Sequence, residues 1–79
     1  MNHNHEPARG TTEWASQYLW QKHGLGYAVG TLENLRCRGG GPAFRKVNSR
    51  RVLYDADALD AWATSQLSKL VRSTSELAA

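Results

Sequence analysis

Gly39-Gly40-Gly41-Pro42 is the feature that most constrains this fold. Three glycines lose more conformational entropy in a helix than any other residues, and proline removes a backbone donor. No helix or central strand can run through them, so the chain is read as two short halves joined at this break. With 79 residues in all, it is one domain at most, with a modest core and little room for a deep substrate cavity.

Upstream of the break the apolar residues recur with a helical period. Thr12 is a candidate N-cap, Glu13 suits the first turn, and Ala15, Leu19 and His23 follow at four-residue steps with Trp14 and Tyr18 alongside. This predicts a first helix from Thr12 that stops near Gly24, with His23 as a C-terminal capping residue and a turn bracketed by Gly24 and Gly26. A second helix is predicted from about Ala28 to Cys37. Ala28, Leu32 and Leu35 face inward, while Gly30, Asn34 and Cys37 face out, flanked by Glu33 and Arg38.

Downstream, Phe44-Arg45-Lys46-Val47, then Asn48-Ser49, then Arg50-Arg51-Val52-Leu53-Tyr54 reads as a β-hairpin. Val52 and Tyr54 share one face. The first arm alternates poorly, which predicts a bulge or a short pairing. Asp55 is placed to cap a third helix, whose stripe is Leu59, Trp62, Ala63, Leu67 and Leu70. Trp14, Tyr18, Phe44, Tyr54 and Trp62 are expected in the core, and Trp20, off the stripe, over the first turn. Residues 1–11 are polar and read as a disordered arm, 12–70 as the folded domain, and 71–79 as a frayed tail. The expected class is α+β. Helix, turn, helix, break, basic hairpin and helix is the order of a small winged helix-turn-helix.

Charge is distributed unevenly along this order. The net charge is +3, yet Arg36, Arg38, Arg45, Lys46, Arg50 and Arg51 occur in one stretch without an acid, and Asp55, Asp57 and Asp60 follow directly. A basic pole of this kind suits a polyanion, and its plainer alternative is a solvated edge that discourages aggregation. If the second helix enters a major groove, Thr31, Asn34 and Arg38 are the candidates for base contact, and Arg36, Arg45, Lys46, Arg50 and Arg51 for phosphate contact. Asparagine can bond adenine N6 and N7 together, and a threonine methyl can touch thymine. Glu33 either accepts from cytosine N4 or stays on the helix surface. Arg36 lies nearer the packed side of its helix, where it either pairs with Glu13 or Asp60 or reaches a phosphate.

Other chemistries find little support. The single cysteine, Cys37, allows no intramolecular disulfide and no cysteine cluster. It is read as an incidental outward residue, although Arg36 and Arg38 beside it would favour a thiolate. His3 in the arm, third from the amino terminus, could chelate copper or nickel, but His3 and His5 are read as chance residues of a floppy tail. No cofactor or metal is expected, Ser49, His23 and the aspartates have no catalytic spacing, and an enzyme is the least favoured class. No apolar run approaches the roughly 20 residues that span a bilayer, and no signal-peptide core opens the chain, so a cytoplasmic, nucleoid-associated location is expected.

Several stretches together resemble a known family. They are Ala15-Ser16-Gln17-Tyr18-Leu19, Thr31-Leu32-Glu33-Asn34-Leu35-Arg36, Gly39 to Phe44, Arg51-Val52-Leu53-Tyr54, and Asp57-Ala58-Leu59-Asp60-Ala61-Trp62. In this order and spacing, over roughly Thr12 to Gln66, the chain resembles the excisionase and AlpA-type helix-turn-helix proteins, relatives of the MerR-type DNA-binding domain. The departures are a longer Trp20–Gly30 segment where the family has a tight turn, Ala28 where a serine cap is common, and Glu33 and Asn34 where basic or aromatic residues are usual. The resemblance implies a double-stranded DNA partner, a tyrosine recombinase (integrase) assisted in excision, and cooperative self-association on DNA. A transcriptional regulator of the same fold is the alternative it implies. An adaptor that has lost DNA binding is a third reading.

Overall fold

The computed structural model describes residues 8–67, and the expectations for His3, His5, Leu70 and the tail 71–79 lie outside them. Helix α1 spans Thr12–His23, α2 Val29–Arg38 and α3 Ala56–Gln66. Strand β1 is Arg9–Gly10, β2 Arg45–Lys46 and β3 Val52–Asp55. The strands form one antiparallel sheet in the order β1-β3-β2. Among the described residues the fold is therefore α+β, with three helices and a three-stranded sheet. None of these helices is long and apolar enough to cross a membrane.

The helix ends follow from local chemistry. Thr11, not Thr12, caps α1, its Oγ1 accepting from the Trp14 amide at 3.2 Å. Gly24 and Gly39 end α1 and α2 at φ 70° and 83°, a left-handed conformation that glycine adopts without a Cβ penalty. Ala28 stands at the α2 N-cap with no side-chain bond, since alanine has no acceptor to offer. It is exposed rather than inward, because the chain enters α2 one residue later than the apolar pattern suggests. The wide turn is pinned instead by Ser16, which donates to the Tyr27 carbonyl at 2.6 Å. Trp20 is 63% exposed and lies beside this turn, with Cε3 3.9 Å from where a Gly26 β-carbon would sit.

The hairpin is short. Only Arg45 and Lys46 pair, opposite Leu53 and Val52. The connection is closed by Asn48, whose Oδ1 accepts from the Arg50 and Arg51 amides at 2.8 and 2.9 Å, a side-chain mimic of a backbone turn. Because so little of the first arm is paired, Phe44 is not buried as expected: it stays 38% exposed, with its ring 6.2 Å from that of Tyr54.

Strand β1 replaces part of the expected arm. Arg9 pairs with Asp55 and Gly10 with Tyr54. Gly10 is required by close approach, since a β-carbon there would stand 2.5 Å from the Trp14 ring. The Ala8 carbonyl then accepts from the Ala56 amide at 2.7 Å. That bond satisfies the first amide of α3, and Asp55 makes no side-chain cap there, contrary to expectation.

Ala15, Tyr18, Leu19, Leu32, Tyr54, Leu59 and Ala63 form the core where the three helices meet the inner face of β3. Each large apolar side chain buried there contributes about 1.5–3 kcal/mol relative to exposure. Trp14, Val52 and Trp62 pack against this core but are only partly buried. Trp62 meets Tyr27 edge-on at 4.9 Å and donates from Nε1 to the Gly40 carbonyl at 3.2 Å, fastening the glycine break to α3. Leu67, expected on the core stripe, is exposed, because α3 ends at Gln66.

Asp60 ties α1 to α3. It accepts from the Tyr18 hydroxyl at 2.9 Å, from Lys22 Nζ at 3.2 Å and lies 2.8 Å from His23 Nε2. His23 is thus held by a carboxylate on another helix, not engaged as a helix cap. Burial disfavours the ionised Asp60 carboxyl, but hydrogen bonds from His23, Tyr18 and Lys22 together outweigh it and hold its pKa below the usual carboxylate value. A depressed folded-state pKa gives stability that is complete above the unfolded value near 4 and is lost as pH falls through the folded value. Asp60→Asn is therefore expected to lower stability by about 1–2 kcal/mol at pH 7 and to flatten its fall below about pH 4. Urea melts across that range check this. A residual slope is expected from Asp55, whose carboxyl is also held low.

Candidate nucleic-acid interface

Helix α2 presents three different strips. Leu32 is buried and Leu35 half-buried, and they dock α2 on the core. Val29, Glu33 and Arg36, spaced by four and three residues, line a cleft of about 310 Å³ facing the start of α1 and the hairpin residues Arg50 and Arg51. Thr31, Asn34 and Arg38 are exposed and share the flank on the other side, three and four residues apart, and their side chains make no hydrogen bond or ion pair among the described residues. The three candidates for base contact thus form one strip, but they do not line the cleft that holds Arg36, Arg50 and Arg51.

Arg36 is half-buried, and its Nη1 donates to the Tyr54 hydroxyl at 3.0 Å and to Thr12 Oγ1 at 3.4 Å. Its guanidinium also sits 5.8 Å from the Phe44 ring centroid. Its partners are neither Glu13 nor Asp60, the two acids that the sequence proposes. The residue joins α2 to α1 and β3, and this structural work accounts for its position near the packed side of the helix.

Arg50 and Arg51 are exposed beyond the Asn48 turn, and Lys46 is exposed on the hairpin edge. With Arg38, these side chains make no ion pair among the described residues. Arg45 differs, because its Nε lies 2.7 Å from Asp55 Oδ2, while Arg9 Nε lies 2.9 Å from Oδ1 of the same carboxylate. These two arginines, Arg9 first, hold the Asp55 carboxyl below the ordinary range. Sequence reasoning missed Arg9, because two strand residues in a polar segment carry no periodic signal. The one available hint was the Arg-Gly pair directly before a threonine cap.

The cleft is not purely basic, since Glu13 and Glu33 line it as well. Cys37 is exposed on the outward side of α2. Among the described residues, no group of three or more histidine, cysteine, aspartate or glutamate side chains could hold a metal ion. Chemically the surface can bind an extended anion and offer amide, hydroxyl and guanidinium groups to base edges. No family model matches the chain, and comparison with curated proteins finds no significant match.

Proposed function

We propose that this chain is a sequence-preferring double-stranded DNA-binding module of the winged helix-turn-helix type. In this reading α2 enters the major groove, with Thr31, Asn34 and Arg38 against base edges. The hairpin lies on the flanking backbone with Lys46, Arg50 and Arg51 on phosphates. The observation that carries the reading is how charge is partitioned. Asp55 and Asp60 are committed to partners within the fold, whereas Arg38, Lys46, Arg50 and Arg51 are exposed without an ion pair among the described residues. Pairing of these two acids within the fold, beside unpaired cations, leaves a surface suited to phosphates.

By its resemblance to excisionases, the module acts architecturally. It changes the path of the DNA and assists a tyrosine recombinase in excising a mobile element, with copies placed side by side. Selection of bound sequences followed by footprinting on the element of origin tests this. Sites repeated in an attachment arm support excision, and sites over a promoter support a transcriptional regulator of the same fold. A protein that selects no sequence and shows no salt-dependent affinity refutes the DNA reading. The carboxylates of Glu13 and Glu33 in the cleft then favour the adaptor.

Base readout has its own test. Asn34→Ala is expected to relax preference at one base pair, with a loss of about 1–3 kcal/mol on the best site. Because Asn34 is exposed, the fold should be untouched. An unchanged consensus would mean that α2 reads the groove through other residues.

A further inference from the structure

The geometry points to a second anion site, on the sheet face turned away from the helices, where Arg9 and Arg45 together hold a phosphate group and Asp55 fixes their guanidiniums in place. Its biological occupant, a phosphate of the DNA backbone, rests on the DNA reading above. The chemistry of the site does not.

Pairing and alternation place these residues on one face. Arg9 is opposite Asp55 and Arg45 is opposite Leu53, and directly opposed residues point to the same side of a sheet. Tyr54 is buried against the helices, so its neighbours Leu53 and Asp55 point the other way. One carboxylate therefore lies between guanidiniums from the two edge strands, each oxygen bonded to one Nε, at 2.9 and 2.7 Å. Both side chains stay open to solvent, Arg9 at 48% and Arg45 at 63%. Among the described residues their terminal amino groups have no acceptor, and they remain available to a second anion.

Two cations on one carboxylate leave a net positive charge. Asp55 could have been spent on the N-terminus of α3, but it makes no capping bond there, and the Ala8 carbonyl takes the Ala56 amide instead. The carboxylate thus serves the arginines alone. It remains ionised well into acid, since both arginines lower its pKa. An arginine already ordered by one partner loses less freedom when it binds a second.

The sign of one substitution separates ordering from plain charge. Asp55→Asn removes a negative charge, and by charge alone it would tighten binding to DNA. Asparagine is also a good helix N-cap, so α3 is spared. If Asp55 orders the clamp, the variant instead binds a DNA duplex about 3- to 10-fold more weakly. Arg9→Ala should weaken binding and flatten the slope of log K against log salt by about 0.9. In parallel, inorganic phosphate is titrated into the protein while the arginine Nε–H signals are followed by NMR. In the wild type the Arg9 and Arg45 signals should move together, and in Asp55→Asn the coupled movement should be lost. Tighter DNA binding by Asp55→Asn, or phosphate-insensitive arginine signals in the wild type, overturns the clamp. A wild type that binds DNA with an Arg9-independent slope also removes the clamp and leaves the DNA reading standing. Phosphate-responsive arginines in a protein that binds no DNA keep the site and reject its DNA source.

Discussion

Tyr54→Ala is expected to unfold the domain. Tyr54 is fully buried at the centre of the sheet, opposite Gly10, and its hydroxyl accepts from Arg36. Truncating a buried aromatic costs about 3–5 kcal/mol. The change also leaves the half-buried Arg36 guanidinium without its shortest hydrogen bond. Small domains lie at the low end of the roughly 5–15 kcal/mol that holds folded proteins together, so the loss consumes most of the reserve. Tyr54→Phe keeps the ring and removes only the hydroxyl, and should cost about 1 kcal/mol. Urea melts followed by circular dichroism distinguish the two. An unshifted midpoint for Tyr54→Ala would disprove the central role assigned to this side chain.

The largest effect on binding is expected at the hairpin tip. Replacing Arg50 and Arg51 together by glutamate should flatten the slope of log K against log salt by about two units, since each lost phosphate contact contributes about 0.9. Affinity should fall by roughly two orders of magnitude if each contact is worth about 1.5 kcal/mol. The loss should be the same for every DNA sequence, because phosphates carry no base identity. Both residues are exposed, and the turn bonds to Asn48 use their backbone amides, so the fold should survive the exchange. The measurement is a binding titration at several salt concentrations, beside circular dichroism of the variant. A folded double variant with wild-type affinity and slope would remove the hairpin from the interface and bring the adaptor reading forward.

What could be read from the sequence was local. Gly24 and Gly39 end their helices because their backbone conformation is a property of glycine itself, and the Gly39–Pro42 break separates α2 from the hairpin for the same reason. The Asn48 turn and the inward direction of Tyr54 also follow from neighbouring residues. The errors came from contacts between distant parts of the chain. β1 exists because β3 has an open edge to pair with, and nothing within residues 8–11 announces that edge. Asp55 stands where a helix cap belongs, yet two arginines from other strands claim its carboxylate. His23 fits a helix end equally well until Asp60, on another helix, is brought against it. Phe44 counts as core by composition and is left half outside by a hairpin arm of two paired residues. The basic candidates divide in the same way: Lys46, Arg50 and Arg51 are as exposed as a turn implies, while Arg36 and Arg45 have partners that only the assembled fold supplies.

The pairing of β1 with β3 also sets an order of events. Arg9 and Asp55 are 46 residues apart in sequence, so their contact closes a loop that contains both α1 and α2. Closing so long a loop is entropically unfavourable until other structure has shortened the path, and contacts of this range form late in folding. During synthesis β1 leaves the ribosome before α1, α2 and β2, and its partner strand β3 follows all of them. The nascent chain therefore carries β1 unpaired until β3 has been made.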